Sequence, residues 1–255
     1  MSGRPDPGRR LALAALATLA LPAPASAQGS GAFQCRLLST GGIRPSGVRA
    51  SGAARWAWEV SRRTSAPTRM VRSVVRADQR ALLAEPFALW SGSDAIPPLT
   101  GAERRGLERF LRMGGMLVVD DSAPAEGAFS RSVRAELAQV LSEAVPVQLE
   151  PNHVLYKSFY IVERPVGRVA GPERIDAIVR GGTAQVLFLQ HDLLGALARE
   201  PAGGWALDVT PGGARQRQLA IRFAVNITLY LLCSDYKDDQ VHAKWILQRR
   251  ARARR

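Results

Sequence analysis

The run Gly114-Gly115-Met116-Leu117-Val118-Val119-Asp120-Asp121-Ser122 constrains this chain more than any other stretch. Before it, residues 100–113 read as a helix. Thr100 is the N-cap, Glu103 its capping-box partner, and Leu107, Phe110 and Leu111 share one apolar face. Gly114 and Gly115 stop that helix. Met116 to Val119 is a short β-branched apolar run, the pattern of a strand covered on both faces. Asp120 and Asp121 are expected just past the strand end, where open α/β sheets place ligands. Asp is equally at home there as a turn or cap residue, for its own hydrogen-bonding reasons.

The chain opens on an export-type segment. Arg9-Arg10 precede the apolar run Leu11 to Leu21, followed by Pro22, Pro24 and Ala25-Ser26-Ala27. This predicts a signal peptide over residues 1–27, cleaved after Ala27, and an exported protein of the periplasm or cell envelope. Gly8 before the arginine pair and Leu11-Ala12-Leu13 after it fit a twin-arginine route poorly, so Sec export is favoured. The expected organisation is one α/β domain over 28–242 and a basic, disordered tail over 243–255, where Gln248 to Arg255 carries five arginines. No later segment is apolar enough to predict a membrane span.

The formal charge is +13, carried almost wholly by arginine, since only three of the 35 basic residues are lysine. The arginines are scattered, and for an exported chain no nucleic-acid partner is expected. An envelope or membrane protein is the expected partner, with peripheral membrane contact through the basic tail as a further expectation. Two cysteines lie outside the export segment, Cys35 and Cys233. An oxidising compartment permits a disulfide between them, while their apolar contexts suit buried free thiols.

Along the chain, strands are expected at Phe33–Leu38, Pro67–Val75 and Phe87–Trp90, and helices at Ser51–Arg62 and Ala128–Glu143. Arg174 to Gln190 reads as two adjacent strands joined at Gly181-Gly182. Its apolar run Val186–Leu189 ends in His191-Asp192. A short helix follows from Leu193, and a long amphipathic one from Arg215 to Cys233, with Leu219, Phe223, Ile227 and Tyr230 on one side. Alternating strands and helices predict a mostly parallel sheet with helices on both faces.

The usual nucleophile elbows, phosphate loops and zinc spacings are missing from this sequence. What remains is a set of polar residues at strand ends: Ser91 and Asp94, Asp120 and Asp121, His191 and Asp192, with His153 in an aromatic segment at Asn152–Val162. No cofactor is expected. If the strand ends converge, these side chains are candidates for a ligand site or for a divalent metal, carboxylates favouring Mg or Ca and imidazole favouring Zn. The same residues also fit ordinary loop and cap roles, Asp192 being a natural N-cap for the helix at Leu193.

Several segments in order carry a resemblance: Trp56-Ala57-Trp58-Glu59-Val60, the glycine pair through Asp120-Asp121-Ser122, and His153-Val154-Leu155-Tyr156-Lys157-Ser158-Phe159-Tyr160. Arg164-Pro165-Val166-Gly167, Asp192-Leu193-Leu194-Gly195-Ala196, Ala224-Val225-Asn226-Ile227 and Asp235 to His242 continue it. Together they resemble the bacterial family known as domain of unknown function 4159. The resemblance implies a flavodoxin-like α/β fold, related to the class I glutamine amidotransferase-like group, and brings no catalytic residues with it. Where that family often has Gly-His-Gly after the third strand, this chain has Gly92-Ser93-Asp94, which removes an imidazole from that loop. Two functions stay in competition: a non-catalytic binding or interaction module of the envelope, and a metal-dependent hydrolase or sugar-active enzyme using Asp120, Asp121, His191 and Asp192.

Overall fold

The computed structural model describes residues 32–43 and 47–252, with side chains described as far as Cys233. The expected export segment lies outside the described residues. Seven strands form one sheet: β1 (Arg36–Ser39), β2 (Ser73–Arg76), β3 (Phe87–Gly92), β4 (Met116–Asp121), β5 (Val147–Gln148), β6 (Asp176–Arg180) and β7 (Thr183–Leu189). Their spatial order is β2-β1-β3-β4-β7-β6-β5. The first five of that order are parallel, and β6 and β5 add an antiparallel edge. The strand order reverses between β1 and β3, since β1 leads outward to β2 and β3 leads to β4.

The helices are α1 (Ser51–Arg63), α2 (Gly101–Arg112), α3 (Ala128–Val140), α4 (Leu193–Ala196) and α5 (Gly213–Arg252). Alternation along β4 divides the core. Met116 and Val118 pack with α1 and α5 on one face, and Leu117 and Val119 pack with α2 and α3 on the other. The result is a flavodoxin-like sandwich with helices on both sides of a mostly parallel sheet.

Local chemistry explains the elements. The capping box of α2 is present, with the Thr100 side chain accepting the Glu103 amide at 3.2 Å and Glu103 accepting the Thr100 amide at 2.9 Å. The other Glu103 oxygen accepts the Gly41 amide at 2.6 Å, which ties α2 to the loop after β1. Gly181 and Gly182 sit at φ 56 and 80, as a two-residue β6–β7 hairpin turn requires.

Three elements differ from the sequence-based expectation. The expected strand over Pro67–Val75 is divided: Thr68 bridges Phe33, and the ladder with β1 resumes only at Ser73. β4 runs two residues further than its apolar run, because β3 also continues and pairs Ser91 and Gly92 with Asp120 and Asp121. α5 continues to Arg252, into the stretch read as a solvated basic tail; no glycine or proline falls between Ala214 and Arg252 to interrupt it.

Candidate functional site at the strand ends

A cleft of about 350 Å³ opens beyond the ends of β1 and β3, at the point where the strand order reverses. This is the position at which open α/β sheets form crevices, because neighbouring connections leave to opposite faces there. Trp90 and Phe129, edge to face with ring centres 6.2 Å apart, line it together with Leu38, Ile43, Val48 and Ile96. Its polar lining comes from Thr40, Ser91, Ser93, Asp94, Ser122 and Arg49. Two expected candidates, Ser91 and Asp94, therefore do share one site. Asp94 is exposed and accepts a hydrogen bond from the Ser93 hydroxyl at 2.8 Å.

Asp120 and Asp121 do not act together. They are successive strand residues, so their side chains leave on opposite faces. Asp120 is fully buried on the α1/α5 side and accepts the amides of Leu193 at 2.8 Å and Leu194 at 2.7 Å. Burial raises its proton affinity well above the usual carboxylate range, the charge of Asp192 adds to this, and the two amides oppose it. Asp121 faces α3 and accepts the amides of Ala123 at 2.9 Å and Ser130 at 3.1 Å. Burial raises its proton affinity too, against those two bonds.

Asp192 is fully buried and sits in the left-handed region at φ 51. It caps α4 by accepting the Gly195 amide at 3.0 Å, the N-cap role its position suggests. The same carboxylate takes a forked pair of bonds from Arg49, Nε at 3.0 Å to Oδ1 and Nη2 at 3.0 Å to Oδ2, and a further bond from Arg168 Nε. The Arg49 side chain, 33% exposed, reaches the cleft while its guanidinium is held from behind.

His191 looks away from that cleft. It lines a second one of about 480 Å³, between residues 161–171 and the start of α5. Its Nε2 stands 2.9 Å from the Pro172 carbonyl, which assigns the proton to Nε2 and leaves Nδ1 without a partner. Burial lowers its pKa to about 4. His153 lies near the opposite edge of the sheet. Its Nδ1 accepts the Leu155 amide at 3.2 Å and its ring packs on Tyr230, whose hydroxyl accepts the amide of Ala184 at the start of β7.

Among the described residues, no three His, Cys, Asp or Glu side chains are grouped so as to hold a metal ion, and no histidine is hydrogen-bonded to a serine or cysteine. The strand-end residues thus divide between two clefts and two faces. Cys35 and Cys233 are both free, the first buried beneath α1 and the second exposed on α5, so the disulfide reading does not hold in this structure. Burial pushes the Cys35 thiol up, away from the reactive thiolate form.

The family model described as Domain of unknown function (DUF4159) matches residues 39–232. The chain belongs to this family. The matched span of the DUF4159 domain runs from the last residue of β1 into α5, and contains every strand-end candidate, the whole lining of the second cleft and, Leu38 apart, that of the first. A comparison with curated proteins finds no match.

Sequence reasoning missed Arg49, Trp90 and Arg168. Arg49 had a legible signal: it stands in the loop between β1 and α1, the loop that flanks the crevice in a doubly wound sheet. Trp90 reads as one more apolar strand residue. Arg168 carries no local signal, because its partner is 24 residues away.

Proposed function

We propose that this DUF4159 domain is an exported, non-catalytic binding module of the cell envelope, whose cleft at the β1/β3 ends takes a small ligand with an apolar body and an acidic head. One observation carries the reading. The cleft joins an apolar, aromatic lining to hydroxyls and one pre-oriented guanidinium, while the buried carboxylates beside it are each committed to backbone amides or arginines. Small-molecule sites are built this way, with mostly apolar walls and a few placed polar groups. A buried carboxylate with both oxygens already accepting backbone amides serves first to hold those loops in place, and neither Asp120 nor Asp121 lines the cleft. Location in the envelope is supported by the basic, apolar and Ala-x-Ala order of residues 9–27.

The test is calorimetric titration of the full-length mature protein with a panel of small aromatic and aliphatic carboxylates and phosphate esters, with intrinsic tryptophan fluorescence, compared with that of Trp90→Phe, as a second signal. A saturable ligand that raises Tm and is lost in Ser93→Trp, which fills the mouth from an exposed position, supports the reading. Stoichiometric bound metal, or turnover of a glycoside or ester lost in Asp120→Asn, would replace it with the hydrolase reading.

A further inference from the structure

The outer face formed by α1, α5 and the loop at residues 159–161 has a chemistry that the cleft does not use. On α1, Arg55, Trp58 and Arg62 fall at i, i+3 and i+7, an outward stripe. Arg55 stacks on Trp58 at 4.0 Å and Arg62 on the same ring at 5.4 Å. Arg55 also reaches Trp205 at 5.1 Å. On α5, Arg215, Gln218 and Arg222 repeat the spacing. The two helices are joined across this face by Arg63 to Gln218 at 3.2 Å, and Arg222 lies over Tyr160 at 5.3 Å.

The charge is one-sided. The only carboxylate of α1 is Glu59, buried beneath the face between Arg55 at 2.5 Å and Arg63 at 2.6 Å, and α5 has none before Asp235. Exposed acids stand in the neighbouring loops: Glu163, which lines the second cleft with Arg215, Asp208, which acts on Arg217, and Glu200 in the turn before Trp205. Apolar side chains stand out from the same face. Ile161 is 85% exposed and Phe159 47% exposed. They are held in place rather than loose. The buried Asn226 of α5 accepts the amides of Phe159 at 3.2 Å and Tyr160 at 2.8 Å, and donates to the Tyr160 carbonyl at 2.8 Å.

We infer that this face docks the protein on an anionic lipid surface, with the arginines meeting headgroup phosphates and Trp58, Phe159 and Ile161 entering the interface. Arginine stacked on indole presents its N–H groups outward while covering the ring, and aromatic residues prefer the headgroup level. A protruding aliphatic tip suits hydrocarbon better than it suits an acidic polypeptide or a nucleic acid, neither of which offers an apolar phase.

Co-sedimentation of the full chain with vesicles of mixed phosphatidylglycerol and phosphatidylcholine, against phosphatidylcholine alone, tests this. The expected result is binding to the anionic vesicles only, weakened by salt, and weakened about thirtyfold in Arg62→Gln/Arg222→Gln. Phe159→Ser/Ile161→Ser should also weaken it, whereas Arg249→Gln/Arg250→Gln/Arg252→Gln in the tail should retain face-dependent binding. Circular dichroism checks that these surface variants stay folded. Equal binding to both vesicle types, wild-type binding by both face variants, loss in the tail variant alone, or capture by polyglutamate or DNA without vesicle binding would each overturn the inference. Ligand titration of the β1/β3 cleft reads different residues, so the two proposals fail separately.

Discussion

Asp192 concentrates more of the strand-end electrostatics than any other residue. Its carboxylate pairs with two guanidiniums, caps α4, and lies close enough to Asp120 to raise that group's proton affinity. Removing it leaves two partly exposed guanidiniums and the buried Gly195 amide without their acceptor, which costs about 1–3 kcal/mol. Asp192→Ala should therefore lower the unfolding free energy by that amount in urea titration, and Asp192→Asn by less, since it keeps the cap. His191 makes a second prediction, in pH. Its folded-state pKa of about 4 lies below the unfolded value near 6.5, so the unfolded chain takes up the proton first as pH falls. The stability it contributes is full above about pH 6.5 and is lost towards pH 4, by up to about 3 kcal/mol. His191→Gln, which can still donate to Pro172, should flatten that limb relative to wild type in denaturant titrations at pH 7, 5.5 and 4.5. Asp120 works in the opposite sense: its raised affinity favours the folded state when protonated, so its contribution falls as pH rises above about 3.9.

At the scale of elements, α2 is held against the turn that follows β2 by a missing side chain. A Cβ placed on Gly106 would lie 1.8 Å from the Ala77 carbonyl oxygen, which is backbone and cannot swing aside. Gly106→Ala should force α2 away from the sheet and destabilise the fold by about 3 kcal/mol or more, against a gain of about 1 kcal/mol from helix propensity alone. Denaturation midpoints of the variant and wild type decide between the two effects. The α2 capping box and the hairpin turn at Gly181-Gly182 were legible because each is written within a few residues. The extension of β4 through Asp120 and Asp121 was not. Two acidic residues read as a loop, and only pairing with β3 and donors from α3 and α4 make them strand residues.

For the whole molecule, the last helix closes what the first one opens. α5 packs on α1 across a buried bond from the Trp56 indole to the Thr228 hydroxyl at 2.9 Å, between residues 172 apart in sequence. That closure completes the α1/α5 half of the core and brings the arginine stripes of the two helices onto one face. Hydrophobic period, caps and turn glycines sufficed to determine the α/β class, the α2–β4 unit and the β6–β7 hairpin, because these signals act over one or two turns of chain. The sequence alone also placed Ser91 and Asp94 at a strand end. Which polar residues meet was decided only by tertiary structure. Strand alternation sent Asp120 and Asp121 to opposite faces, the reversal of strand order opened the cleft beside Arg49, and loop 161–171 drew His191 towards a different one. Those outcomes depend on register and on contacts between residues far apart in sequence, and neither is encoded in any local run.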